Sequence, residues 1–78
     1  MSTDVISALS VDEAAALWPG ADQAPTPDAA RRRFVRGWAE ANNRRAERNQ
    51  PSLRRMKVGL RYYYTSESIN EALKALEE

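Results

Sequence analysis

Four of the seven proline and glycine residues mark breaks in this chain. Pro19 and Gly20 follow an apolar run, Pro51 lies in a polar stretch, and Gly59 breaks a run of β-branched and aromatic residues. Proline disfavours a helical conformation in the residue before it, and glycine readily adopts the left-handed conformation that ends a helix. The chain is therefore expected to consist of short helices and strands.

Length and composition indicate one small folded domain of a non-enzyme. Hydrophobic residues make up 42% of the 78 residues, which is enough apolar surface to offset the entropy of folding. Because the chain contains no Cys and no His, it offers no disulfide, thiol nucleophile, imidazole base or Cys/His metal site. We expect a domain over residues 9–78 after a flexible segment at residues 1–8, without catalytic residues, metal or cofactor.

No segment is typical of membrane insertion or secretion. The longest apolar run, AAALW at residues 14–18, is far shorter than the roughly 20 residues of a membrane-spanning helix. The segment at residues 1–10 lacks the basic start of a signal peptide. The expected location is the cytoplasm, with no membrane partner.

Capping patterns predict the first two helices. Ser10 followed by Glu13 is a capping box, and the helix that it begins is expected to stop at Trp18. Thr26 followed by Pro27 is typical of an N-cap with proline in the first helical position. The second helix is therefore expected to begin at about Pro27.

The second helix is predicted to bury one face and expose a basic one. At 100° per residue the inward sector contains Ala30, Phe34, Gly37, Trp38 and Ala41, and the outward sector contains Arg32, Arg36, Glu40 and Asn43. Glycine costs about 1 kcal/mol relative to alanine inside a helix, so Gly37 is expected to allow a close approach by another element. The helical pattern fades through residues 41–52.

Residues 53–65 are predicted to form a β-hairpin, because they are rich in aromatic and β-branched residues around Gly59. A three-residue turn of Val58, Gly59 and Leu60 sorts charged from apolar residues. That register places Lys57 opposite Arg61 and Arg55 opposite Tyr63, and leaves Met56, Tyr62 and Tyr64 on the other face.

A third helix is expected after the hairpin. Ser66 or Ser68 would cap it. Its buried stripe is predicted to contain Ile69, Ala72, Leu73 and Leu76. The fold class is thus mainly α with a small β-hairpin, in the order helix, helix, two-stranded hairpin, helix.

Positive charge is concentrated in the middle of the chain. Residues 31–61 contain eleven Lys or Arg and two Glu, a net charge of +9, whereas the whole chain has a net charge of only +1. Such segregation favours a surface that meets a polyanion. A solvated basic face without a ligand is the alternative.

Double-stranded DNA is a polyanion whose major groove and phosphates such residues can contact. In the major groove Arg32 or Arg36 could present a bidentate fork to guanine O6 and N7. Arg31 and Arg33 on the flanks would hold phosphates. The hairpin residues Arg55, Lys57 and Arg61 would lie along the backbone or in the adjacent minor groove, and Tyr63 is a candidate phosphate contact.

Three segments carry a resemblance to a family: LSVDEAAALW at residues 9–18, RRRFVRGW at 31–38 and VGLRYYYTSESINEAL at 58–73. They resemble a first helix, a recognition helix and a wing with its following helix in the small winged-helix proteins that include phage excisionases (recombination directionality factors) and the DNA-binding domains of MerR-like regulators. The resemblance implies a winged helix-turn-helix fold. The stretches at residues 19–26 and 40–52 are longer than is usual in that family.

The resemblance also implies a biological role. An excisionase binds side by side in several copies, bends DNA and directs an integrase toward excision, so integrase and further copies of the chain are expected partners. A transcription regulator of the same fold is an alternative, because its DNA-binding face would look the same. A protein-binding module whose basic face meets an acidic partner is the other alternative.

Overall fold

The computed structural model describes residues 8–77, and over this range the chain is mainly helical. Its helices are α1 (Val11–Leu17), α2 (Pro27–Glu47) and α3 (Ser66–Glu77), and its strands are β1 (Leu9–Ser10), β2 (Met56–Val58) and β3 (Arg61–Tyr64). A turn of 3₁₀-helix, Ala21–Gln23, lies in the connection between α1 and α2. The segment expected to be flexible, residues 1–8, lies outside the described residues except for Ala8.

The predicted caps of α1 and α2 are confirmed. The Ser10 hydroxyl accepts a hydrogen bond from the Glu13 N–H at 3.2 Å, and the Glu13 carboxylate accepts one from the Ser10 N–H at 2.9 Å. Helix α1 ends at Leu17 with Trp18 as its C-cap. The Thr26 hydroxyl accepts from the Ala29 N–H at 3.1 Å, and α2 begins at the proline after it.

Helix α2 is longer than the sequence pattern indicates, because tertiary contacts support its last turns. Ala41 is fully buried, the Asn42 side-chain oxygen accepts from the Leu53 N–H at 2.8 Å, and Arg44 donates to the Leu76 carbonyl at 3.1 Å. The helix ends where Asn49 adopts a positive φ of 58°. Most of the stretch at residues 40–52 is therefore helix rather than loop.

The cap of α3 was predicted wrongly. Thr65, rather than Ser66 or Ser68, accepts from the Ser68 N–H, at 3.1 Å. Ser68 is itself buried, and its hydroxyl accepts a hydrogen bond from the Thr65 hydroxyl at 3.0 Å. The buried residues of α3 are Ser68, Ile69, Ala72 and Ala75, whereas the predicted Leu73 and Leu76 are only half-buried. The helix is rotated slightly from its expected orientation, toward its smaller side chains.

The sheet has three strands over the described residues, not the two that were expected. Strand β3 lies in the centre, in the order β1-β3-β2. Strand β1 pairs antiparallel with β3, so that Leu9 lies opposite Tyr64 and Ser10 lies opposite Tyr63. A strand of two residues leaves no alternating pattern in the sequence, which is why β1 was not predicted.

The predicted hairpin register is also wrong. Val58 pairs with Arg61, Lys57 with Tyr62 and Met56 with Tyr63, which leaves a two-residue turn of Gly59 and Leu60. The φ of Gly59 is 64°, whereas Leu60 has no positive φ, the combination expected for a type II′ turn with glycine in its first central position. The preference of glycine for this turn position therefore sets the register, and the separation of charged from apolar residues does not.

The two-residue turn exchanges the expected faces of strand β2. Lys57, and Arg55 two residues before it, share a face with Tyr62 and Tyr64. Met56 and Val58 join Arg61 and Tyr63 on the other face. The predicted grouping of Met56 with Tyr62 and Tyr64 is therefore incorrect.

Four aromatic rings join α1, α2 and β3 in the core. Phe34 lies at the centre, with its ring centroid 5.2 Å from Trp18, 5.8 Å from Trp38 and 4.8 Å from Tyr64. The close approach expected at Gly37 is confirmed, since a Cβ at this position would overlap Cζ2 of the Trp18 ring. This packing fixes the orientation of α2 and turns its opposite face to solvent.

Candidate nucleic-acid interface

Arg32 and Arg36 lie one turn apart on the outer face of α2, as predicted. Both side chains are exposed, and neither forms a hydrogen bond or ion pair with another residue between 8 and 77. Residues four apart on a helix are neighbours on its surface, so the two guanidinium groups project from the same part of the helix. The five N–H donors of each guanidinium group are therefore available to an external acceptor.

A valine lies beside the two unpaired arginines. Val35 is 51% exposed and lines a shallow surface groove with Asp28, Arg31, Arg32 and Arg36. No role was predicted for Val35, since a single valine outside the buried stripe gives no distinctive signal in the sequence. The structure makes it the apolar part of an otherwise charged surface.

Arg31 has two carboxylate partners, although it was predicted to bind phosphate. Its Nε lies 2.8 Å from Asp12 of α1 and its Nη2 lies 3.0 Å from Asp28 of α2. All three side chains are substantially exposed, and ion pairs of this kind contribute about 0–1 kcal/mol each. A phosphate would compete with these carboxylates, so Arg31 is less available than Arg32.

Arg33 also contacts the polypeptide itself. Its Nη1 donates to the Gly20 carbonyl at 2.8 Å. Gly20 has a positive φ of 89° and begins the connection from α1 to α2. Arg31 and Arg33 thus connect α2 to opposite ends of the α1 region, whereas both were predicted to hold phosphates on the flanks of one surface.

The basic residues of the hairpin lie on both faces of the sheet. The guanidinium carbon of Arg55 lies 3.8 Å from the centroid of the Tyr62 ring, and the Lys57 ammonium lies 5.7 Å from it. Arg55 also donates to the Tyr64 hydroxyl at 3.4 Å. These cation–π contacts order the two cations without neutralising their charge.

Arg61 and Tyr63 occupy the opposite face of the hairpin. Arg61 is exposed next to the turn and has no ion pair within the described range. Tyr63 is half-buried opposite Met56. The four predicted hairpin contacts therefore form two groups on opposite faces, rather than one row along a strand.

Not all arginines of the basic stretch are available to a ligand. Arg44 lies 3.4 Å from the Glu40 carboxylate in addition to its bond with α3. Arg45 donates through Nε to the Pro51 carbonyl at 2.7 Å. Both lie in the last turns of α2, where cations interact favourably with the helix dipole. The unpaired charge of α2 is therefore concentrated in its N-terminal half.

The described part of the chain offers little support for other kinds of site. Among residues 8–77 no group of three or more Cys, His, Asp or Glu is arranged to hold a metal ion. Across the same range, no helix combines the length and the apolar character that crossing a membrane requires. Comparisons of the chain with protein-family models, curated protein sequences and solved structures return no significant match.

Proposed function

We propose that the chain is a winged helix-turn-helix protein that binds double-stranded DNA through α2 and the β2–β3 hairpin. The observation that carries this proposal is the exposed pair Arg32 and Arg36, which has no acidic partner among residues 8–77. A helix fits the major groove of B-DNA, and paired arginine forks on its outer face match the acceptors found there.

In this proposal the first turns of α2 read bases. Arg32 or Arg36 donates to O6 and N7 of guanine, which is the commonest specific contact in the major groove. Val35, exposed beside them, contacts the methyl group of a neighbouring thymine. The resulting preference is for a short element that contains guanine and thymine.

The hairpin contributes to DNA affinity and fixes the position of the protein along the duplex. Arg55 and Lys57 on one face, and Arg61 next to the turn, bind phosphates on strands that flank the contacted groove. Arg31 and Arg33 add phosphate contacts only where DNA displaces their present partners, two carboxylates and one carbonyl. About five phosphates are then neutralised by one copy of the chain.

The biological role proposed is that of a phage excisionase acting in the cytoplasm. One small module buries only about 600–1,000 Å² on DNA. Several copies side by side, or an integrase bound next to one copy, would therefore be needed to keep the DNA site occupied. This step rests on the sequence resemblance alone. A transcription regulator of the same fold is separated from it by testing whether integrase-dependent excision requires the protein.

The direct test is a titration of fluorescent duplex DNA at several salt concentrations. Five phosphate contacts predict a slope of log affinity against log salt of about −4.5, from about −0.9 per contact. The matched control is Lys74→Gln, which removes one exposed positive charge from α3 and should leave the slope unchanged. A flat salt response, or no binding near 50 mM salt, would refute the proposal and favour a protein partner for the basic face.

A further inference from the structure

The tip of the β2–β3 hairpin exposes large apolar side chains. Leu60 is 95% exposed and Val58 is 64% exposed, and they flank Gly59 at the turn. Leu60 is the most exposed of the large hydrophobic residues in the described range. A turn of this kind ordinarily carries polar residues, so an exposed leucine is unusual there.

Only positive charge surrounds this tip in the sequence. Lys57 and Arg61 lie on either side of it, and no acidic residue occurs between Glu47 and Glu67. An exposed apolar side chain with a cation on either side is complementary to a polyanion that has an apolar interior. Duplex DNA has both properties, in its phosphates and in its stacked bases.

The turn is held firmly enough to act as a wedge. Strand β3 pairs with a strand on each side, and its last residue, Tyr64, is 2% exposed in the aromatic core. The connection contains only two residues, and Gly59 supplies the positive φ that it requires. Little backbone conformational entropy therefore remains for the turn to lose on binding.

We propose that Leu60 enters the DNA minor groove and partly unstacks one base step, while Lys57 and Arg61 hold the phosphates on either side. Apolar side chains inserted in this way kink a duplex toward the major groove. This inference rests on the proposed DNA binding, and it assigns the bending of DNA to one residue of the hairpin. Flexible pyrimidine–purine steps are the expected insertion points.

The test measures the bend of a bound duplex at saturating protein. The duplex is the best-bound sequence from a randomised pool, with a donor and an acceptor dye at its ends and, in a second preparation, 2-aminopurine at successive steps. The wild-type chain should shorten the dye-to-dye distance and raise 2-aminopurine fluorescence at one step. Leu60→Ala should abolish both effects while changing affinity by less than about tenfold, because the cost of unstacking offsets the lost contact.

Two control variants separate the wedge from other roles. Lys57→Gln should weaken binding but give the wild-type bend at saturation, and Leu60→Met should keep the bend because it remains long and apolar.

If Leu60→Ala bends DNA as the wild type does, the wedge is refuted while DNA binding stands. If the wild type binds no duplex, the proposed function and the wedge both fail. If Leu60→Ala instead dissociates a dimer seen by sedimentation, with the bend unchanged, the tip is a protein interface and the inference is wrong.

Discussion

Replacing Arg32 and Arg36 together with glutamine should separate DNA binding from folding. Both side chains are exposed and unpaired within residues 8–77, so the free energy of unfolding should change by no more than about 0.5 kcal/mol. In a domain of this size 1 kcal/mol shifts the melting temperature by about 4–8 °C. The double variant should therefore melt within about 4 °C of the wild type.

The contrasting variant is Trp38→Ala. Trp38 is 4% exposed, and its ring lies 4.8 Å from Tyr64 and 5.8 Å from Phe34. Truncating a buried tryptophan costs about 3–5 kcal/mol. At roughly 0.05–0.15 kcal/mol per residue, the stability expected of so small a domain is of similar size. This variant should be largely unfolded at room temperature.

The arginine double variant should lose DNA affinity although it stays folded. Each lost bidentate contact to guanine costs about 1–3 kcal/mol, which is between about fivefold and 150-fold in dissociation constant. The Arg32 and Arg36 double variant should lose at least the lower of these factors on its best duplex and less on a random one, so its sequence preference should relax. Circular dichroism gives the melting temperature, and fluorescence anisotropy gives the affinity, with Lys74→Gln as the charge control.

If the arginine variant loses stability to the same extent as Trp38→Ala, Arg32 and Arg36 do not lie free on the outer face. The outer face of α2 would then be structural, and the DNA-reading surface would lie elsewhere. Equal losses on the best and the random duplex would leave Arg32 and Arg36 as phosphate contacts without a role in specificity.

Three further changes test separate parts of the structure. Gly37→Ala should lower the melting temperature, because the added Cβ would overlap the Trp18 ring. Such overpacking costs about 1–3 kcal/mol, against a gain of about 1 kcal/mol in helix propensity. A higher melting temperature would contradict the close contact. Replacing one thymine of the bound site by uracil should weaken binding of the wild-type protein about fourfold, the effect of one buried methyl group. The same replacement should not change the affinity of the Val35→Ala variant. Equal losses in both proteins would exclude Val35 as the methyl contact. Lys57→Gln should reduce the magnitude of the salt slope by about 0.9 and weaken all duplexes alike, whereas a loss confined to one sequence would make Lys57 a base contact.

The candidate site was predictable in part, because its components differ in how locally they are determined. The outward position of Arg32 and Arg36 follows from helical periodicity once Phe34 and Trp38 are taken as buried. The partners of Arg31 and Arg33 lie on α1 and in the loop after it, so neighbours along α2 could not reveal them. Leu60 was included in the predicted turn, but its position as the second of two turn residues depends on a hairpin register that was predicted wrongly.

The sequence by itself determined the elements whose causes are local. Ser10 with Glu13, and Thr26 with Pro27, determined where α1 and α2 begin, because a cap requires only a side-chain oxygen within three residues of a free N–H. Only the tertiary structure decided how far α2 extends and which strands pair. The last turns of α2 are supported by contacts from Leu53 and Leu76, and strand β1 exists because β3 offers it an edge. Such contacts join residues far apart in the chain, where the spacing of residue types carries no information about the partner.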